Sequence, residues 1–366
     1  MRTRQSCAIS ALLAFGAAAP AFAGTISFEQ CPFPETDAEK RAVLSSATAT
    51  VDGVTVPFTY STILRSGDRG SATPEGFQFG QLYDISGMPL MAEDGSLFLS
   101  NDNDFSSLLT GDDGNLYMVS HFESRPGAMY LTELAQDATS GALSAVRTRP
   151  LDFSAFNGGW VHCAGSVTPW GTHLGSEEYE PDAKQWRDND ISDYNAAMAR
   201  YFGADPLDAR TVMNPYDYGF PVEVAVASYD SAAVGKHYAM GRIAYELSYV
   251  MPDNKTVYSS DDGTNVGLYR FVADQAGDLT SGYLYIAQWN EEVNVGGGAA
   301  SLNWISLGHA TNAQVRAWAS EYTFADIFDE ADPIMEGEND TGRCPNGYTS
   351  INTTPGHECL AVSYTH

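Results

Sequence analysis

The order of hydrophobic and polar positions along the chain predicts many short strands separated by turns. After residue 70, short apolar runs follow an Asp-Gly or similar pair, and each run stops at polar or acidic residues. Four of these runs are predicted strands: residues 97–99, 116–119, 172–176 and 256–258. Strands at this spacing are typical of a sandwich, a barrel or a propeller. We therefore expect an all-β fold. A propeller would bring many strand ends near one axis, where acidic residues at equivalent ends converge, but the repeat is loose and leaves the sandwich and the barrel open.

Two segments show a helical spacing of apolar residues. In residues 193–201 the apolar side chains recur at Tyr194, Ala197, Met198 and Tyr201, and residues 312–322 have a similar pattern. Both segments are predicted to be short helical insertions on the surface of the propeller.

The N-terminal segment has the composition of a secretory signal. Arg2 and Arg4 precede an apolar run over residues 8–19, and residues 21–23 (AFA) form a small-x-small cleavage pattern. The apolar run is too short for a stable membrane span, and no later segment is suitable. The protein is therefore expected to be periplasmic or extracellular. The predicted organisation is a signal peptide over residues 1–23, a leader over 24–70 and a propeller domain over 71–366.

The charge of the chain excludes some partners and suggests others. Lys and Arg number 19 against 47 Asp and Glu, which gives a formal net charge of −28. Binding to nucleic acid or to anionic lipid relies on clustered positive charge, so neither is expected. Acidic residues in series at strand ends suit Ca²⁺, which prefers oxygen ligands. We therefore expect calcium binding in this chain.

Four cysteines remain after removal of the predicted signal peptide: Cys31, Cys163, Cys344 and Cys359. In an oxidising compartment, pairs are the default. Cys344 and Cys359 flank a loop rich in Gly, Pro and Asn, and they are the easiest pair to close. Cys31 and Cys163 either pair with each other or stay free, with Cys163 in a metal site.

The residues around Cys163 suggest a site with mixed sulfur and oxygen ligands. Cys163 lies beside a predicted turn, and Glu177 and Glu178 follow one strand later. A thiolate with carboxylates suits a transition metal such as iron better than magnesium or calcium. The alternative is a buried or disulfide-bonded cysteine. A cysteine nucleophile is disfavoured because the adjacent His162 would point to the other face of a strand, and the absence of a Gly-x-Ser-x-Gly elbow disfavours a serine hydrolase.

Two motifs resemble the PhoX-type alkaline phosphatase family. The first spans residues 163–172 (CAGSVTPWGT) and is followed by Glu177 and Glu178. The second comprises residues 241–246 (GRIAYE), 258–263 (YSSDDG) and 267–271 (GLYRF), and residues 307–312 and 349–353 are also similar to the family. The resemblance extends over about residues 76–360.

The resemblance implies a β-propeller with Fe³⁺ and Ca²⁺ ions near its axis and the hydrolysis of phosphate esters. Residue by residue, Cys163 matches the iron-bound cysteine of the family, and Glu178 and Glu246 match its metal-bridging carboxylates. Further, weaker matches to metal ligands are Glu177 and Asp262. Arg242 is a candidate for contact with the substrate, with a structural pair to an acid as the alternative.

Three departures from the family pattern affect these expectations. Tyr245 stands where members often have His, and Arg2 and Arg4 do not form a twin-Arg export signal. Family members continue well beyond a Cys-Leu pair such as Cys359-Leu360, whereas this sequence ends at His366. This last departure predicts a C-terminally truncated chain with an incomplete propeller and an incomplete metal site. Two other functions stay open: a non-catalytic calcium-binding propeller module, and a calcium-dependent propeller hydrolase of another ester, such as a lactone.

Overall fold

The computed structural model describes residues 24–31, 33–42, 44–57, 60–92, 94–188, 196–263, 266–295, 298–353 and 356–362. The predicted signal peptide and the first part of the predicted helix over 193–201 lie outside these residues. The described residues form two compact units, one within residues 1–62 and the other within residues 63–366. The smaller unit contains helix α1 (Asp37–Lys40) and an antiparallel sheet of three strands, which pair in the order β1 (Ile26–Phe28), β2 (Thr48–Val51) and β3 (Val54–Pro57).

Three antiparallel sheets form the main part of the larger unit. In each sheet, strands that follow one another along the chain are paired. The first sheet contains β4 (Asn103–Thr110), β5 (Leu116–Phe122), β6 (Ala128–Gln136) and β7 (Leu143–Pro150). The second contains β8 (Gly165–Val167), β9 (His173–Gly175), β10 (Val222–Ser228) and β11 (Ser231–Lys236). The third contains β12 (Tyr245–Val250), β13 (Thr256–Asp261), β14 (Leu268–Gln275), β15 (Asp278–Val293) and β16 (Ala299–Thr311).

The first strands of these sheets are neighbours, since β4 contacts β8 and β8 contacts β12. Consecutive blades of a propeller meet in this way around their axis. The predicted all-β class and propeller architecture are therefore confirmed for the described residues. Three of the four predicted strands lie in β5, β9 and β13. The fourth prediction, residues 97–99, is wrong, because Leu97 and Leu99 form only isolated bridges in a stretch where turns recur too often for a ladder.

Alternating apolar positions pack neighbouring blades together. Tyr117 and Val119 of the first blade pack in one cluster with Val222 of the second. Leu174 of the second blade packs in another cluster with Val257 of the third. Burying one such side chain contributes roughly 1.5–3 kcal/mol. This packing fixes the blade edges on which the candidate site is built.

Helices occupy the connections between strands. Between β9 and β10 the chain forms α2 (Ala183–Asp188), α3 (Ala209–Val212) and the 3₁₀ helices Ala197–Phe202, Pro206–Asp208 and Pro215–Asp217. The described part of the predicted helix over 193–201 is thus a 3₁₀ helix. The predicted helix over 312–322 is confirmed as α4 (Asn312–Glu321), which begins at a capping box between Thr311 and Gln314. The remaining helices are α5 (Phe324–Ile327) and the 3₁₀ turns Ser154–Phe156 and Tyr238–Met240.

The C-terminal part of the described chain contains two small sheets. One pairs its strands in the order β17 (Phe328–Ala331), β21 (Gly356–Val362) and β20 (Thr349–Thr353), and the other consists of β18 (Met335–Glu336) and β19 (Asn339–Asp340). A disulfide joins Cys344 and Cys359, whose Cα atoms are 5.5 Å apart, as predicted. Cys31 and Cys163 are both free, so the alternative in which they pair is wrong. None of the helices in the described part of the chain combines the length and hydropathy needed to cross a membrane.

Candidate metal centre

Cys163 lies in a cluster of acidic side chains. Its Sγ and carboxylate oxygens of Glu178 and Glu246 all lie within 4.8 Å of one another, and the same is true of Cys163 with Asp104 and Glu123. The thiol of Cys163 donates a hydrogen bond of 3.3 Å to Oδ2 of Asp104. These two overlapping groups, which share Cys163, therefore offer one sulfur and four carboxylates as ligands for cations.

These five residues come from equivalent edges of three consecutive blades. Asp104 lies near the start of β4 and Glu123 follows the end of β5, and the antiparallel pairing of these strands brings the two residues to one edge. In the second blade Cys163 precedes β8 and Glu178 follows β9, which pairs with β8. Glu246 lies at the start of β12 in the third blade. The motifs in the sequence do not single out Asp104 and Glu123. The signal that identifies them is their position, which is equivalent to that of Cys163 and Glu178.

Burial and crowding disfavour ionisation in this cluster. The pKa of Glu178 is raised to about 7, chiefly by burial and also by the carboxylate of Glu246, against a hydrogen bond from Tyr179. Burial is likewise the main reason that the pKa values of the Glu123 carboxyl and the Cys163 thiol are raised. A multivalent cation would favour the ionised form of every one of these groups. The donor set therefore fits a metal centre that includes a thiolate.

Glu177, the residue before Glu178, has a different environment. Its side chain is fully buried, and its Oε1 is 2.8 Å from Nζ of Lys236, which is equally buried. Oε1 also accepts a hydrogen bond from the backbone N–H of Trp160 (3.1 Å), and Oε2 accepts one from that of Gly219 (3.0 Å). Burial raises the pKa of Glu177, while Lys236 and the backbone amides oppose this. Among the described residues, the groups of candidate ligands around Cys163 do not include Glu177.

Asp262 lies beside the cluster, and its carboxylate interacts with the side chain of Glu178. It follows β13, so its position in the third blade is equivalent to that of Glu178 in the second. The hydroxyl of Tyr179 donates a hydrogen bond of 2.7 Å to Oδ2 of Asp262 and lowers the pKa of this carboxyl. The same hydroxyl also interacts with Glu178. Tyr179 therefore connects Asp262 to the cluster, and a ligand role for Asp262 stays a prediction.

The described contacts of Arg242 are structural. Its Nε donates to the carbonyl oxygen of Tyr218 at 3.0 Å, and its Nη2 donates to those of Pro181 (2.6 Å) and Pro215 (3.1 Å). The guanidinium also lies 5.1 Å from the centre of the Tyr216 ring. These contacts attach the start of the third blade to the helical connection that follows β9. Contact of Arg242 with a substrate stays a prediction.

The fold and the site together define a propeller protein with a candidate metal centre of carboxylates and one thiol at its blade edges. The family described as alkaline phosphatase PhoX matches residues 128–334, more than half of the sequence, and the chain belongs to this family. Among solved structures, the chain is similar to one described as Pseudomonas fluorescens PhoX in complex with vanadate, a transition state analogue. The identity is 18% and the TM-score 0.43, and the match covers 72% of this chain and 60% of that chain. The match thus spans less than two thirds of the length of the Pseudomonas protein. No curated protein matches the chain.

Proposed function

We propose that this protein is a metal-dependent phosphatase that hydrolyses phosphate esters. The observation that carries the proposal is the cluster itself, in which Cys163 lies within 4.8 Å of Glu178 and Glu246 and also of Asp104 and Glu123. Membership of the alkaline phosphatase PhoX family supports this class of reaction.

The donor types support a division of the cluster between two kinds of cation. Fe³⁺ is proposed at the Cys163 thiolate with Glu178 and Glu246, because sulfur ligands favour a transition metal. Ca²⁺ is proposed among the carboxylates, including Asp104 and Glu123, because calcium prefers oxygen. When bound, these cations supply the positive charge that phosphoryl transfer requires.

The chain has two tasks in this proposal. It holds acidic donors at one place although their mutual repulsion opposes this, and it encloses Cys163 and Glu178, which are 8% and 2% exposed. A chain of net charge −28 repels a phosphate anion. Attraction of the substrate therefore depends on how far cations neutralise the cluster.

The protein is also proposed to act outside the cytoplasm. The composition of residues 1–23 supports secretion, and so does the disulfide between Cys344 and Cys359, because such bonds persist in oxidising compartments. Cell fractionation with N-terminal sequencing tests this, and the expected mature protein begins at Gly24. A cytoplasmic protein that keeps residues 1–23 would contradict it.

The test of the proposed activity combines metal analysis with turnover of p-nitrophenyl phosphate on one purified preparation. Cys163→Ser is expected to lower both bound iron and kcat by about 100-fold or more. The control is Ser248→Ala, which removes a buried hydroxyl bonded to Ser259 at 2.8 Å and is expected to retain metals and turnover. Bound calcium without iron or turnover would favour the binding module instead. Hydrolysis of lactones without phosphatase activity would favour the other propeller hydrolase.

A further inference from the structure

Three histidines, His121, His162 and His173, are fully buried beside the Cys163 cluster. Because a charged imidazolium is costly to bury, the complete enclosure of these rings favours the neutral form of each. A neutral imidazole has one nitrogen that donates and one that accepts. Each contact of a ring therefore shows which nitrogen carries the proton.

The contacts of two of these rings define a chain of hydrogen bonds with a single direction. Nδ1 of His121 lies 2.5 Å from the carbonyl oxygen of Cys163, which can only accept, so Nδ1 carries the hydrogen. Nε2 of His121 must then accept, and it lies 2.6 Å from Nε2 of His173, which donates. Nδ1 of His173 in turn accepts from the hydroxyl of Ser107 at 2.8 Å. The chain of donors runs from Ser107 through His173 and His121 to Cys163.

The backbone position of Cys163 depends on this chain of hydrogen bonds. Cys163 precedes β8, and both described hydrogen bonds of its main chain are made with side chains. Its N–H donates to Oγ of Ser176 at 3.1 Å, and its carbonyl oxygen accepts from His121. The carbonyl oxygen of Ser176 accepts from Nδ1 of His162 at 2.8 Å. Buried backbone groups are almost always paired, so these side chains supply what a strand partner would otherwise supply.

The surroundings of the ring pair are closely packed. A Cβ atom added to Gly175 would lie 2.6 Å from Nε2 of His121 and 2.9 Å from Nε2 of His173, so only glycine allows the rings to meet here. Phe105 packs against both rings, with centroid distances of 5.9 and 6.2 Å. The two rings are thereby confined to the arrangement in which their Nε2 atoms face each other.

We propose that Ser107, His173 and His121 form a positioning chain for Cys163. The chain fixes the carbonyl group of Cys163 and, through the backbone, directs the Sγ atom toward Asp104 and the other carboxylates. The consequence for metal binding rests on the proposed function. The direction of the hydrogen bonds does not, and it can be tested on metal-free protein.

The first test determines the histidine tautomers by ¹⁵N NMR of metal-free protein at neutral pH, with signals assigned by substitution. We expect the hydrogen on Nδ1 in His121 and on Nε2 in His173. Ser107→Ala removes the first donor and is expected to leave both tautomers unchanged, since the Cys163 carbonyl determines them. A hydrogen on Nε2 of His121 would overturn the proposal.

The second test measures Co²⁺ binding through the absorption of the thiolate–cobalt contact. His121→Leu removes the donor to Cys163 and is expected to weaken Co²⁺ binding by about 10- to 100-fold, the usual effect of losing a group that orients a metal ligand. His121→Asn is expected to restore most of the affinity, because its side-chain amide places an N–H near the position of Nδ1. The control is Thr132→Val, which breaks a buried 2.9 Å contact with Thr148 inside the first blade and is expected to lower stability without changing Co²⁺ binding.

Equal losses in His121→Leu and His121→Asn would overturn the positioning role, and so would a wild-type protein that binds no Co²⁺. Correct tautomers and the expected Co²⁺ affinities in a protein that hydrolyses no phosphate ester would support the positioning chain and contradict the proposed function. An active wild-type enzyme in which His121→Leu changes neither Co²⁺ binding nor the absorption would support the proposed function and contradict the positioning chain.

Discussion

The adjacent residues Glu177 and Glu178 provide a matched test of the site. Glu177 is paired with Lys236 in the core, and its two oxygens also receive backbone hydrogen bonds. Glu178 instead lies within 4.8 Å of Cys163 and Glu246. The same substitution, Glu to Gln, is therefore expected to have opposite effects at the two positions.

Glu177→Gln removes the charge that compensates Lys236 and places an amide nitrogen where backbone N–H groups already point. Removing one partner of a buried ion pair typically costs about 3–5 kcal/mol. Lys236 keeps the carbonyl oxygen of Asp217 at 2.9 Å and the ring of Tyr218 at 5.0 Å, so we expect the lower end of this range, about 3 kcal/mol. Glu178→Gln breaks no such pair, and we expect it to change the free energy of unfolding of metal-free protein by less than about 1 kcal/mol.

The assay is urea unfolding in the presence of EDTA, together with metal analysis of folded protein prepared without EDTA. Glu177→Gln is expected to lower the urea midpoint at an unchanged slope and to retain its metals. Glu178→Gln is expected to keep its midpoint and to lose metal. If Glu177→Gln lost metal at unchanged stability, Glu177 would be a ligand and our interpretation of its ion pair would be refuted.

Three further outcomes are expected. Replacing both Cys344 and Cys359 by Ser should lower the free energy of unfolding by roughly 3 kcal/mol, and equal stability of the wild type under reducing and oxidising conditions would contradict this. Burial raises the pKa of Glu223, but hydrogen bonds from His237, Thr172 and Trp170 outweigh it and lower the pKa below its ordinary value of 4.5. The stabilisation by the ionised Glu223 carboxylate is therefore present above pH 4.5 and is lost as the pH falls through the lowered pKa. Urea unfolding should show that Glu223→Gln destabilises the protein at neutral pH and has no effect in acid. Arg242→Lys should reduce thermal stability, because its contacts with three backbone carbonyl oxygens are lost, and KM for p-nitrophenyl phosphate on the same variant tests the predicted substrate contact, which a raised KM at unchanged stability would favour over a structural role.

The sequence is sufficient to predict the all-β class, because Asp-Gly pairs mark turns wherever they precede short apolar runs. It also identifies Cys163, Glu178 and Glu246 as candidates through motifs. It does not separate Glu177 from Glu178, since the two are adjacent and Lys236, which pairs with Glu177, comes from β11 much later in the chain.

The same limit applies to Asp104 and to the histidines. Asp104 stands among several acids in residues 101–104, and only the pairing of β4 with β5 and the contact of β4 with β8 bring it to Cys163. His121 and His173 are 52 positions apart and meet only because two blades pack together. No local sequence pattern predicts such contacts between distant residues.

The cluster takes its donors from three blades, so the order of the chain sets the order in which the donors become available. A polypeptide is made from its N-terminus, and domains tend to fold in that order. Asp104 and Glu123 are complete with the first blade, the thiol of Cys163 follows with the second, and Glu246 comes with the third. A chain that emerges with its N-terminus first therefore makes the oxygen ligands available before the sulfur ligand, and a cation that prefers carboxylates can be held before the thiolate position exists.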